Sequence, residues 1–332
     1  MKKKFNYILL LVFTILVLYF SLKDDFGLVV DTILTMNPLW LIIALIVMSL
    51  YWIFKALVTY KYVKKYNKDY TYKKAIRLQM ETMFFNGITP FSSGGQPFQV
   101  VSLKQDGVRL STGTNIIIVS SFLHQLVLFT IASIAILANQ FLKLFPPNNT
   151  IRYFSIFGYF INILFMGFLL LIMFSKKFNK KSINIVIYLL NKIRIVKDKQ
   201  KVIDSWNERV ENLSESSTLI RKDRKTFIMG YFYTLVALLS FSIIPFIVAR
   251  GMGINTFNIY QTLITIAYVE MVGMFIPIPG GTGGLEFAFT SLFGVFIVGS
   301  TVNSVMLVWR FITYYLGIIL GGMVLNLKGR KK

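Results

Sequence analysis

The sequence predicts an all-α integral membrane protein, with about six full spans plus two re-entrant half-helix hairpins arranged as an inverted repeat. Three observations predict it. Apolar residues fill 55% of the 332 positions and gather into long, nearly charge-free runs, and such runs take the bilayer as their solvent. Two further apolar stretches are broken by clustered Pro and Gly at corresponding places in the two halves. The basic residues, which bring the net charge to +22, crowd the ends of the apolar runs, which is a topology signal and not the footprint of a nucleic-acid-binding protein. Lipid offers no hydrogen-bond partner to a backbone N–H or C=O, so each spanning run has to be helical.

In chain order, Met1-Lys2-Lys3-Lys4 precedes the first run. No small-x-small cleavage signal follows it, so it reads as an anchor helix and not a removable leader. Full spans are expected at residues 5–22, 38–60, 112–139, 151–174, 226–250 and 303–326. The stretch 76–105 is interrupted by Thr89-Pro90-Phe91-Ser92-Ser93-Gly94-Gly95-Gln96-Pro97, and 257–299 by Pro277-Ile278-Pro279-Gly280-Gly281-Thr282-Gly283-Gly284. Neither can run on as one helix, because Pro lacks an N–H and collides with the preceding turn, while clustered Gly makes helix costly.

Placing the N-terminus and residues 61–77, 104–109, 176–225 and 328–332 in the cytoplasm collects 30 of the 36 Lys and Arg on that face, the asymmetry of the positive-inside rule. That assignment requires each broken stretch to leave on the side from which it came, the first hairpin from the cytoplasm and the second from outside. Residues 38–139 then form one repeat and 226–327 its inverted counterpart. Residues 140–225 supply a connecting span and a basic cytoplasmic segment. The whole, 1–332, is expected to be one polytopic domain of the cell (inner) membrane with both termini cytoplasmic. Within the basic segment Val202, Ile203, Trp206, Val210 and Leu213 recur at helical spacing among charged residues, the pattern of an amphipathic helix on the membrane or on the bundle.

With no cysteine and one His, neither thiol chemistry nor a zinc cluster is expected, and no catalytic residue, metal or cofactor is assigned. Recognition falls instead to ionisable side chains inside the membrane, which are costly to insert. These are Glu81, Glu270, Glu286, Arg310 and His124. Arg77 and Glu81, four apart, share a helix face and act either as a surface pair or at a substrate site. Either deep glutamate, Glu270 or Glu286, can pair with Arg310, and a purely structural ion pair is the alternative to a ligand role. His124 is read as hydrogen-bonded packing and Lys55 as a snorkelling residue without a role. If each hairpin consists of two half-helices, the returning halves, from near Gln96 and Gly284, point their N-termini at mid-membrane. Unpaired N–H groups and a positive dipole there suit a phosphate. Gly94, Gly95, Gly281 and Gly283, with Ser93 and Gly280 beside them, would let a ligand approach the backbone. Carboxylates near such a site suit a phospholipid head group carrying a phosphate and an amine. Paired Pro/Gly-interrupted segments in inverted halves point to a transporter site at the midplane.

The residues at the hairpins also carry a resemblance. Phe85-Asn86-Gly87-Ile88-Thr89-Pro90 with Ser93-Gly94-Gly95-Gln96-Pro97, then Pro279-Gly280-Gly281-Thr282-Gly283-Gly284-Leu285-Glu286 followed by Arg310-Phe311-Ile312-Thr313-Tyr314-Tyr315, resemble the membrane region of lysylphosphatidylglycerol synthases, the multiple peptide resistance factor family, and its stand-alone relatives. The resemblance covers nearly the whole chain. It implies a flippase-like protein that translocates a modified, aminoacylated phospholipid between leaflets and contributes to resistance against cationic antimicrobial peptides. Many relatives have Arg before the motif glutamate where Leu285 stands here. The full-length synthases also carry a large soluble domain that transfers lysine from lysyl-tRNA to phosphatidylglycerol, whereas this sequence reaches Lys332 directly after its last span. Phosphatidylglycerol lysyltransferase activity is therefore the disfavoured alternative. A membrane scaffold for a separate lipid-modifying enzyme is a third. The partners implied are the phospholipid substrate, anionic lipids at the cytoplasmic face and such an enzyme, with no nucleic acid.

Overall fold

The computed structural model describes residues 26–145, 150–192, 210–211 and 223–329. They form an all-α integral membrane protein, and no strand occurs among them. The helices are α1 (Phe26–Thr35), α2 (Pro38–Val63), α3 (Tyr72–Ile88), α4 (Gly95–Gln105), α5 (Leu110–Leu142), α6 (Thr150–Phe174), α7 (Lys176–Lys192), α8 (Arg224–Ser242), α9 (Ile244–Gly251), α10 (Ile259–Gly273), α11 (Gly284–Phe293), α12 (Thr301–Arg310) and α13 (Leu316–Gly329). Five segments among the described residues are long and apolar enough to cross a bilayer: α2, α5, α6, the α8–α9 pair and Thr301–Asn326. The span expected at 5–22 lies outside the described residues.

Local chemistry sets several boundaries. Asn37 caps α2 by accepting from the Leu39 N–H at 3.0 Å, with Pro38 next in line, where its missing N–H costs nothing. α8 and α9 meet at Ile243, two residues before Pro245, which withholds the N–H that would continue the ladder. Between α12 and α13 the turn Phe311–Tyr315 widens to a π-helix. The short α1 was not legible as an element in the sequence; it packs against α12.

Both broken stretches are interrupted as expected, and by the same backbone path. Thr89 is extended, Pro90 follows, and Phe91 and Ser92 take φ of 53° and 51°. In the second, Ile278 is extended, Pro279 follows, and Gly280 and Gly281 take φ of 64° and 65°. Left-handed backbone is free for glycine and strained for Phe and Ser, so the glycines in the first stretch stand elsewhere than at its strained turn. The two turns touch each other, and the second also reaches α3.

Helices immersed in lipid associate through close van der Waals approach at small residues. α3 packs on α13 where Gly321 faces it; a Cβ there would lie 2.4 Å from the Met80 carbonyl oxygen. α6 packs on α10 through Ser155, whose hydroxyl donates to the Tyr268 carbonyl at 2.9 Å, and Gly158, whose Cβ would fall 1.7 Å from the Met271 carbonyl oxygen. The outward side of α6 presents Tyr153, Phe154, Phe157, Phe160 and Leu164, all exposed, a face suited to acyl chains. The largest buried cluster lies around α10–α12, with Phe289 stacked on Phe293 at 4.2 Å and on Trp309 at 4.7 Å.

The amphipathic helix expected around residues 202–213 lies outside the described residues except at Val210 and Glu211, which are helical. Directly after α6, α7 gathers Lys176, Lys177, Lys180 and Lys181 in its first two turns. Val210 is buried, and Glu211 pairs with Lys176 at 2.6 Å and Lys180 at 3.0 Å. Those two ammonium groups hold the exposed Glu211 carboxyl below its ordinary range.

Candidate functional site

Where the two turns meet, α2, α3, α4, α5 and α10 enclose a cavity of about 750 Å³. Each helix turns one face to it, and the residues follow helical spacing. α2 contributes Tyr51, Lys55, Val58 and Thr59; α3 contributes Gln79, Thr82, Met83 and Asn86; α4 contributes Gln96 and Gln99. From α5 come Ile117, Ser120, Ser121, His124, Gln125 and Leu128, and from α10 Glu270, Gly273 and Met274. The side toward α6 is apolar, closed by Ile161, Phe165, Phe168 and Leu169. The interior is thus an amide- and hydroxyl-rich chamber with a greasy flank.

Of the twelve residues that the sequence nominated, Ser93, Gln96, Glu270, Gly280 and Gly281 line this cavity. Glu270 is the one carboxylate on the lining, and among the described residues it makes no hydrogen bond and no ion pair. The other seven are placed off the lining. Glu81 is fully buried and pairs with Arg77 at 3.6 Å.

Glu286 and Arg310 pair with each other, which settles which glutamate the arginine takes: Arg310 Nε donates to Glu286 Oε1 at 3.1 Å. The same guanidinium donates from Nη2 to the Gly280 carbonyl at 2.8 Å and stacks 4.4 Å from the centre of the Tyr314 ring. Glu286 also accepts from the Gly283 N–H. Tyr314 in turn donates its hydroxyl to the Gly87 carbonyl at 2.7 Å, at the end of α3. Glu286, Arg310 and Tyr314 therefore clamp the second turn and tie it to the first hairpin.

Part of the backbone expected to receive a phosphate at the returning half-helices is already hydrogen-bonded within the chain. At α4 the Gly94 N–H goes to Thr89 Oγ1 at 2.8 Å and the Gly95 N–H to Asn86 Oδ1 at 2.9 Å, while Pro97 has no N–H to give. A Cβ at Gly95 would lie 2.2 Å from Asn86 Oδ1, so these glycines make room for the chain's own caps instead of a ligand. At α11 the Glu286 carboxylate already occupies the positive end of the dipole.

Lys55 and His124, read in the sequence as a snorkelling lysine and a packing histidine, are brought together on the cavity wall, Nζ to Nδ1 at 3.4 Å. Gln79, Asn86, Gln99, Ser120, Ser121 and Gln125 were also missed. The available signal was Ser120, Ser121, His124 and Gln125 recurring at three- and four-residue spacing inside an otherwise apolar span.

The lysylphosphatidylglycerol synthase TM region family model matches residues 7–321. The chain belongs to this family. It is also 24% identical, over 296 residues covering 87% of each chain, to a protein of Archaeoglobus fulgidus described as a UPF0104 membrane protein. No solved structure matches it. In this family member the residue before the motif glutamate, Leu285, sets its side chain against Gly273 and Gly281 on the cavity wall.

Proposed function

We propose that this protein translocates a phospholipid with an amine-bearing head group between leaflets, the head group held in the cavity while the acyl chains remain in lipid along α6. The observation that carries the reading is Glu270. A carboxylate within the membrane is costly unless something pairs with it, and among the described residues nothing hydrogen-bonds or ion-pairs with this one; an ammonium on the ligand would. The apolar flank at Ile161, Phe165 and Phe168 supports a route by which chains stay in the bilayer. Family membership supports an aminoacylated phospholipid as substrate, and resistance to cationic peptides as the benefit of moving it. The inverted-repeat reading, 38–139 against 226–327, is supported by the matching backbone path of the two turns and by reciprocal packing, α3 on α13 and α10 on α5.

Purified protein in liposomes, given fluorescent aminoacylated phosphatidylglycerol, phosphatidylethanolamine and phosphatidylglycerol, should speed leaflet exchange of the first two. Glu270→Gln should slow it roughly ten-fold or more while the fold is kept, because a buried charge pair is lost. Exchange no faster than in protein-free liposomes would defeat the proposal.

Both termini are assigned to the cytoplasmic side of the inner membrane, with anionic lipids at that face met by Lys177 and Lys181 of α7. The chain has no cysteine, so single replacements at Lys68, between α2 and α3, and Asn255, between α9 and α10, report topology cleanly. In intact cells an impermeant maleimide should label Asn255→Cys and spare Lys68→Cys. The reverse pattern, or labelling of both, contradicts the assignment.

A further inference from the structure

We infer that Lys55 is the phosphate-binding residue of the cavity, taking a lipid phosphodiester oxyanion while Glu270 faces the amine of the same head group. This rests on the translocation reading above and names the residue that reads the head group's anionic part. At the half-helix N-termini the Gly94, Gly95 and Gly283 N–H groups are already engaged by Thr89, Asn86 and Glu286, which leaves Lys55 as the cation on the cavity wall.

Lys55 stands eight residues before the end of α2, with its ammonium on the cavity wall. Its described contact is His124, Nζ to Nδ1 at 3.4 Å. No carboxylate pairs with Lys55 among the described residues, in contrast to Lys65, Lys74, Lys176 and Lys180, each of which has an acidic partner. An ammonium has three donors, and the remaining two are available to the cavity. Gln79 and Gln99 on the neighbouring walls add amide donors of the kind that complete an oxyanion's shell. The chamber therefore presents one cation and one carboxylate from different helices, neither of them in an ion pair among the described residues. That is complementary to a zwitterionic ligand and would reject a purely cationic or purely anionic one by leaving a charge unpaired.

The test is binding to the detergent-purified full chain, measured by calorimetry, with three probes: dihexanoyl phosphatidylethanolamine, a dihexanoyl lipid bearing the same amine without phosphate, and inorganic phosphate. Wild type should prefer the phospholipid over its phosphate-free counterpart by roughly ten-fold or more, the scale of a charge-assisted hydrogen bond. Lys55→Gln should erase that preference, by weakening the phospholipid and by removing the unpaired ammonium that penalises the phosphate-free amine, and Lys55→Arg should preserve it, which controls for folding. A preference that survives in Lys55→Gln overturns the inference. Inorganic phosphate binding as tightly as the phospholipid overturns its lipid part. The translocation reading fails separately: Lys55-dependent phospholipid binding without leaflet exchange would leave the site standing and remove transport, whereas exchange with unaltered head-group selectivity in Lys55→Gln would do the opposite.

Discussion

Arg310→Ala is expected to destabilise the protein by about 3–5 kcal/mol, the range for removing one member of a buried ion pair, and to abolish leaflet exchange in whatever fraction folds. Arg310 is 4% exposed, and three contacts of its guanidinium end with it. Glu286 loses its partner at 3.1 Å, the Gly280 carbonyl loses its donor at 2.8 Å, and the Tyr314 ring loses the cation stacked on it. The second turn, whose Gly280 and Gly281 contribute to the cavity wall, is then held by less. Arg310→Lys keeps the charge but not the planar fork that serves Glu286 and Gly280 together, so an intermediate loss is expected. Thermal melting in detergent measures both. Combining Arg310→Ala with Glu286→Gln should cost less than the sum of the singles, because the unpaired carboxylate is removed with its partner. A wild-type melting temperature for Arg310→Ala would contradict the clamp.

Gly158→Ala should have an effect of similar size by a different route. A Cβ at this position would fall 1.7 Å from the Met271 carbonyl oxygen, so α6 and α10 must move apart. Backbone cannot yield as a flexible side chain does, so the cost should fall at the upper end of the roughly 1–3 kcal/mol typical of overpacking. The separation would also stretch the Ser155 hydroxyl's bond to Tyr268 and shift the helix that carries Glu270, so exchange should fall with stability. Gly167→Ala, on the same helix, meets nothing within 4 Å. It should be neutral or slightly stabilising, since alanine favours helix. Equal behaviour of the two variants would show that the close approach of α6 and α10 carries no energetic weight.

The contrast between these two glycines illustrates how far the sequence is legible. Both stand in the same apolar run, and no local pattern separates Gly158 from Gly167; only the neighbour across the interface does. The same holds for the first hairpin, where Gly94 and Gly95 looked like a place for a ligand and are instead filled by Asn86 and Thr89. Glu286 and Arg310, 24 positions apart in the chain, could be recognised as deep charges, but their choice of each other over Glu270 depends on the path of the second turn. Lys55 and His124 sit 69 positions apart, and each alone admits an ordinary explanation.

What the residues alone determined is the solvent and its consequences: long apolar runs must be helices in lipid, Pro with clustered Gly must break two of them, and intramembrane charges must find partners. These follow from local composition because the bilayer imposes the same rule at every point along a helix. Which carboxylate is paired, which glycine is crowded and which cation faces the cavity were decided by tertiary structure, because pairing inside the membrane is set by contacts between helices that are remote in sequence.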